Sequence, residues 1–286
     1  MKNKSFTLIE ILVVIIIVGL LAGLIITSTS SYIEEANIAK AHSFSSKAKN
    51  ELMFNILQEW KFDEGSGNTI YDINKSSNTG TLSAFYSTLA GGGDSGNSGW
   101  LSDEYCVSGT CLNFDGVNNS NVDIVDTGSL PLFTLTTWVY NNASNDANRH
   151  SILRNFWEIV AQNVCFWSSD FSIDYWRCSS NSKVTFHKWS YVVTVWDGSY
   201  ISHYVNGELS YKDTALATGS GQSLYMIAGY DTRRMVGRLD EMIIYDKDLT
   251  VSEIKQTYLA GLDSLLAQGG LTEDEYNQRI GLLAQN

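Results

Sequence analysis

The chain has 286 residues, 44% hydrophobic and 17% charged, which excludes a disordered segment and leaves room for one large domain or two small ones. Its formal charge is −12, and the excess lies beyond residue 59, because the first 59 residues carry five basic and five acidic side chains. So acidic a remainder repels phosphate backbones and excludes nucleic acid as the principal ligand.

Lys2 and Lys4 precede an apolar run from Phe6 to Ile26, in which only Thr7 and Glu10 are polar and Gly19 and Gly23 add flexibility. About 20 helical residues cover the ~30 Å of a hydrocarbon core, so the run is long enough to span one. Its basic side is expected to stay cytoplasmic, which places the rest of the chain outside. An ordinary secretory signal, with the small polar residues Thr27 to Ser31 as a loose cleavage region, and a single-pass anchor are the plain alternatives. Neither explains Glu10. A carboxylate in an apolar helix costs about 2.5–3.5 kcal/mol at mid-bilayer, less near an end. No basic residue follows until Lys40, so the partner of Glu10 is expected from another molecule.

KSFTLIE followed by ILVVIIIVGLLAGL resembles the amino-terminal segment of type IV prepilins and the related pseudopilins. The resemblance implies cleavage by a prepilin peptidase between Ser5 and Phe6, then methylation of the new amine on Phe6. Glu10 becomes the fifth mature residue, where the family places the glutamate that pairs with a neighbouring subunit's terminal amine. Two features depart from the pattern. Ser5 stands where Gly is usual, and the one proline, Pro131, is far from the position where many pilins kink the helix.

Helical spacing continues through Tyr32, Ile33, Ala36, Ala39, Ala48, Leu52, Ile56 and Leu57, with no Gly or Pro between them. One helix over 6–58 would be ~80 Å long at 1.5 Å per residue. Its inner half is expected to bury in a filament core and its outer half to pack on the head.

From Trp60 the pattern changes to short aromatic and β-branched runs, such as WKFDE, FTLTTWVY and WSYVVTVW, separated by GSGN, DGVNN, WDGS and VNGE. In FTLTTWVY, Phe133, Leu135, Thr137 and Val139 alternate with Thr134, Thr136, Trp138 and Tyr140, and Asn206-Gly207 is a hairpin signal. These runs predict an antiparallel sandwich. WKFDEGSGNTIYDINKSSNTGTL, LNFDGVNNSNVDI, FTLTTWVYNN, HKWSYVVTVWDGSYISHYVNGEL and GRLDEMIIYDKDLTVSEI, in that order, resemble a laminin G-like, concanavalin A-like jelly roll over about residues 60–258. The expected class is α+β: a long hydrophobic amino-terminal helix, an antiparallel jelly-roll sandwich and a short helical tail. The expected divisions are a leader 1–5, a transmembrane and filament-core helix 6–58, a sandwich 59–248 and a tail 249–286.

Cys106, Cys111, Cys165 and Cys178 all lie in the head, and an even number outside the membrane favours disulfides. Proximity in the chain points to Cys106–Cys111 and Cys165–Cys178 among three connectivities, while zinc competes but lacks a CxxC pair. The jelly-roll resemblance implies a structural Ca²⁺ held by oxygens, with Asp63, Asp72, Asn78 and Asp240 as candidate ligands; the plain role of Asp63 and Asp72 is turn capping. Phe156, Trp157, Phe166, Trp167, Phe171, Tyr175 and Trp176, beside Asn155, Asp170 and Arg177, read either as a core or as platforms for sugars, and the loops near Asn141 to His150 are a second candidate.

Enzyme signals are poor. The GDSG at Gly93 to Gly96 sits in a Gly/Ser/Asn-rich loop and only His42 precedes it, while His150, His187 and His203 form no metal-type pair. Asp123 and Asp126 read as solvated turn carboxylates, so no enzyme is expected. Thr250 with Glu253, and Thr272 with Glu275, have capping-box spacing, and Gly269-Gly270 divides the tail into two helices. The expectation is a bacterial pilin-like subunit that starts in the cytoplasmic membrane, assembles with copies or relatives into a surface filament, and carries a head for adhesion or carbohydrate. The alternative is a membrane-tethered lectin-like or glycan-active protein that never polymerises.

Overall fold

The computed structural model describes residues 8–21, 51–75, 78–83, 98–116, 120–124, 130–142, 149–153, 157–160, 162–170, 173–178, 184–214, 226–228 and 234–285. Two units divide the chain, Met1–Phe44 and Ser45–Asn286.

In the first unit, helix α1 covers residues 8–21. Its side chains are exposed on every face, from Leu8 at 85% to Leu12 at 46%. Among the described residues no helix is long and apolar enough to cross a membrane. The continuation of the expected helix through 22–50 lies outside the described residues. Its far end is corrected, because helix stops at Leu52, Met53–Asn55 form a 3₁₀ turn, and Ile56–Trp60 form a strand. Ile56 and Leu57 fit a helical spacing, but the central strand of the head offers them an extended partner.

The second unit is built on two sheets, with strands numbered in chain order. The first runs β14 (Glu208–Thr214), β13 (Tyr200–Val205), β12 (Trp189–Trp196), β7 (Phe133–Asn141), β16 (Val236–Tyr245), β5 (Thr110–Asp115) and β4 (Gly99–Ser102), with β1 (Ile56–Trp60) also paired to β16. The second runs β11 (Ile173–Cys178), β10 (Asn163–Asp170), β9 (Trp157–Val160), β8 (Arg149–Leu153), β15 (Met226–Ile227), β6 (Asn121–Asp123), β3 (Thr79–Ser83) and β2 (Thr69–Tyr71). These strands pair antiparallel, as the alternating runs require. The Asn206-Gly207 signal closes the β13–β14 hairpin, both residues at positive φ (53° and 80°), the pair of values a type I′ turn needs.

The core lies between the sheets. Phe133, Leu135 and Val139 of β7, Val192 and Trp196 of β12, and Leu239 and Ile244 of β16 meet Ile70, Val122, Ile152, Trp157, Ile159 and Val164. Alternation in β7 predicts one buried face and one wet one. Instead Thr134, Thr136 and Trp138 are buried as well. The cover is helical: α2 (Val251–Ala267) and α3 (Glu273–Gln285) pack on the outer face of the first sheet, with Ile254, Tyr258, Leu262 and Leu265 turned inward.

Three rings make the contact. Trp138 lies 5.2 Å from Tyr191 and 5.5 Å from Tyr258, and Tyr191 stacks on Tyr258 at 5.9 Å. Each such aromatic pair is worth about 0.5–1.5 kcal/mol beyond its buried area. The approach depends on Gly261, where a Cβ would come within 2.4 Å of the Trp138 ring. A cavity of about 480 Å³ remains at this seam, lined by Trp138, Tyr191, Tyr245, Thr257 and Gly261 among others. Within it the Tyr191 hydroxyl donates to Thr257 Oγ1 at 2.9 Å, and burial pushes its pKa up to about 12.

Both expected caps form. Thr250 and Glu253 make a reciprocal capping box, and Glu275 N–H donates to Thr272 Oγ1 at 3.2 Å. Gly269, at φ 80°, ends α2 and lets its N–H reach Leu266 O at 3.1 Å.

Candidate ligand-binding site

The processing pair Ser5 and Phe6 lies outside the described residues. Glu10 sits on α1 and is exposed.

Both proximity pairings of the cysteines form. Cys106–Cys111 has a Cα separation of 5.5 Å, and Cys165–Cys178 joins directly opposed residues of β10 and β11. The first disulfide fixes a turn that serves Asp240. Fully buried, Asp240 accepts through Oδ2 from Val107 N–H at 2.8 Å and Ser108 N–H at 3.1 Å, and through Oδ1 from Glu241 N–H at 2.8 Å. Burial pushes its carboxyl well above the usual range, the neighbouring Glu241 adds to this, and the amide bonds pull the other way. The position explains the need. β16 pairs with β5 over Val236–Leu239 and with β1 over Met242–Tyr245, and the register breaks between, with Glu241 at φ 48°. Asp240 supplies acceptors where the ladder is interrupted.

The other proposed calcium ligands are engaged in the same way. Asp63 Oδ1 accepts from Thr110 N–H at 3.1 Å. Asp72 Oδ1 accepts from Glu59 and Asn74 N–H groups at 3.1 and 3.0 Å, while its Oδ2 meets Asn78 Nδ2 at 3.3 Å. A hydrogen bond brings Asp72 and Asn78 together, and among the described residues no three His, Cys, Asp or Glu converge on a metal position. A donor set turned toward amide hydrogens fits loop fixation.

In the aromatic block, Trp157 belongs to the core. Phe156 and Phe171 lie outside the described residues, and for β10 and β11 the backbone register places Trp167 opposite Trp176 and Phe166 opposite Arg177.

Sequence reasoning misses a cleft of about 400 Å³ between the outer sheet face and the α2–α3 turn. Tyr105, Tyr140, His187 and Trp189 give it rings; Lys188, Arg238 and Arg279 give it cations; Glu104 and Glu275 give it carboxylates. Tyr140 meets Trp189 edge-on at 5.7 Å and His187 at 6.5 Å. The Arg238 guanidinium, on a residue only 6% exposed, lies 4.3 Å from the Tyr140 ring centre and 5.2 Å from that of Tyr105, with Nη1 donating to Tyr105 O at 3.4 Å. α3 closes one wall: Arg279 Nη1 donates to Trp189 O at 3.1 Å, and Lys188 pairs with Glu275 at 2.5 Å. That hydrogen bond, more than the opposing effect of burial, holds the Glu275 carboxyl below its usual range. Five separated strand and loop segments and a helix contribute, and the one local cue is the clustering in HKW at 187–189.

Two layers of antiparallel strands define a β-sandwich of the jelly-roll class. The sequence pattern of the concanavalin A-like lectin/glucanases superfamily matches residues 113–255, half of the chain, and the chain belongs to that superfamily. A prokaryotic N-terminal methylation motif matches residues 1–26. No curated protein matches the chain. Among solved structures, the binding domain of Paraclostridial Mosquitocidal Protein 1 is similar in fold at 14% identity, TM-score 0.53, with 74% of this chain and 53% of that one covered. The receptor-binding domain of the botulinum neurotoxin mosaic serotype C/D gives 12%, 0.53, 73% and 51% for the same four quantities. The botulinum neurotoxin serotype D ligand-binding domain, solved in complex with N-acetylneuraminic acid, gives 15%, 0.50, 75% and 53%. The chain thus spans about half the length of these solved chains.

Proposed function

We propose that this protein is a pilin-like subunit whose apolar amino-terminal helix enters a surface filament and whose head binds carbohydrate or mediates adhesion. The observation that carries this reading is the presence, on one chain, of the methylation motif at residues 1–26 and a lectin-superfamily domain at 113–255. Prepilin peptidase would cut between Ser5 and Phe6, the new amine would be methylated, and Glu10 would pair with the amine of the next subunit. The helix would rest in the cytoplasmic membrane before assembly and leave it for the cell surface. The head is a binding and structural module in this reading, with no catalytic role. The same proposal takes in a saccharide ligand, as in the serotype D complex named above.

Mass analysis of the amino terminus, on protein recovered from sheared surface fibres, tests it. A chain starting at N-methylated Phe6 supports the reading. An uncut leader, or a different start on a protein absent from fibres, leaves a tethered sandwich that does not polymerise. Binding of the full chain to a glycan array tests the head separately.

A further inference from the structure

Three stretches of chain that turn on left-handed backbone are tied together in the first sheet. Phe62 (φ 57°) follows β1, Asp103 (56°) and Gly109 (49°) lie in the β4–β5 connection, and Glu241 (48°) interrupts β16. Such a conformation is unfavourable for a side chain with a Cβ and persists only where the surroundings hold it.

The connection, residues 103–109, is where the ties meet. Val107 and Ser108 N–H groups donate to Asp240 Oδ2 at 2.8 and 3.1 Å. Thr110, the first residue of β5, donates its N–H to Asp63 Oδ1 at 3.1 Å and its hydroxyl to Phe62 O at 2.6 Å. Phe62, Val107 and Asp240 are each 0% exposed, so opening these bonds strands buried polar groups away from water. The fit is close, because a Cβ on Gly109 would run into Asp63 Oδ1.

Cys106–Cys111 closes this same connection. It spans 5 positions of the chain, against 13 for Cys165–Cys178. Loop-closure entropy alone ranks the longer closure higher, by about fourfold in the folding equilibrium. The surroundings reverse that ranking. Cys165 and Cys178 face each other in a regular ladder that runs on to Asp170 and Ile173, so main-chain pairing already holds their hairpin. The 103–109 connection has no such ladder and relies on Asp63, Asp240 and its own crosslink.

We propose that Cys106–Cys111 is an oxidation lock on the head: closing it fixes the 103–109 connection and, through Asp240, holds β16 where its pairing passes from β5 to β1. The step is thiol–disulfide exchange. One cysteine thiolate attacks the disulfide of an oxidised thiol carrier, releasing one carrier thiol and leaving a mixed disulfide. The second attacks the cysteine sulfur of that mixed disulfide and releases the other. Two cysteine thiols are oxidised, one carrier disulfide is reduced, and both protons pass to the released thiolates. Cys106 and Cys111 are each 0% exposed, so the closed lock is shielded from thiols until the turn opens. In the pilin-like reading the lock closes only after the chain leaves the reducing cytosol, which ties a finished head to export. The lock itself does not rest on that reading.

The test uses the full chain in detergent. Graded dithiothreitol under native conditions, then alkylation and peptide mass analysis, is expected to open Cys165–Cys178, whose Cys178 is half-buried, at least about tenfold faster than Cys106–Cys111. In urea, Cys106→Ser with Cys111→Ser is expected to lower the folded-to-unfolded ratio at least about tenfold more than Cys165→Ser with Cys178→Ser. Where the first pair does not fold at all, Gly109→Ala decides, since it keeps all four cysteines. It is expected to shift the glutathione exchange equilibrium of Cys106–Cys111 about tenfold toward thiols and to leave Cys165–Cys178 unmoved. Earlier reduction of Cys106–Cys111, serine pairs ranked by loop length, or a Gly109→Ala chain with unchanged exchange each overturns the lock. None of these results touches the methylated amino terminus or glycan binding, so the proposed function stands or falls separately.

Discussion

α1 and α2 are both helices rich in aliphatic side chains, and they solve opposite problems. α1 is apolar all round, and Leu8, Ile9, Leu12, Ile15 and Leu20 are exposed on its several faces. α2 confines its apolar residues to one side, where Ile254, Tyr258, Leu262 and Leu265 lie against the outer sheet face. A helix with a single apolar stripe finishes its burial within its own chain, whereas an all-round apolar helix calls for an apolar environment on every side. The contrast fits the proposed function, in which α1 serves assembly, while α2 completes its burial on the head.

Variants that act on one helix and spare the other sharpen this contrast. The largest effect is expected from Glu10→Ala. Removing one member of a buried pair costs about 3–5 kcal/mol, enough to lose surface fibres, while the calorimetric unfolding of the head is unchanged. Fibres at normal yield would break the assignment of α1.

Next comes Gly261→Val in α2. Its side chain would enter the Trp138 ring, and overpacking of this kind costs about 1–3 kcal/mol, read as a lower midpoint in denaturant. Gly281→Ala in α3, with nothing within 4 Å of the added carbon, is the control and is expected to gain up to ~1 kcal/mol. Equal loss at the two glycines would mean that α2 does not sit tightly on the sheet.

Thr250→Ala removes the capping box and is expected to cost about 1 kcal/mol, with fibres unaffected. The smallest effect concerns pH. The Lys188 hydrogen bond holds the folded-state pKa of Glu275 below its ordinary 4.5, so its contribution to docking α3 is complete above that value and declines as pH falls through the folded pKa. Glu275→Gln is expected to flatten a shallow part of the acid-unfolding curve below pH 4.5, by a few tenths of a kcal/mol at most for so exposed a pair.

Much of this arrangement was legible where a local pattern decides the outcome. The apolar run, the Asn206-Gly207 turn, the Thr250 and Thr272 caps and the two short-range cysteine pairs each rest on residues close in sequence. The failures share a cause. Ile56 and Leu57 look helical until β16 is available as a partner, and nothing near Trp138 in sequence announces the cover that α2 brings to it. The bonds from Val107 and Ser108 to Asp240 cross 133 and 132 positions of the chain, so no local pattern shows them. The cleft joins residues as far apart as Glu104 and Arg279, and no window along the chain contains it.

The placement of β1 has a mechanical consequence. Residues 56–60 do not hang from a peripheral loop; they are stitched by main-chain bonds to β16, an interior strand of the sheet. Tension arriving from the amino-terminal side is therefore handed straight to the middle of the sandwich. A subunit anchored at one end and gripping a surface at the other would carry load through an interior strand of its sheet.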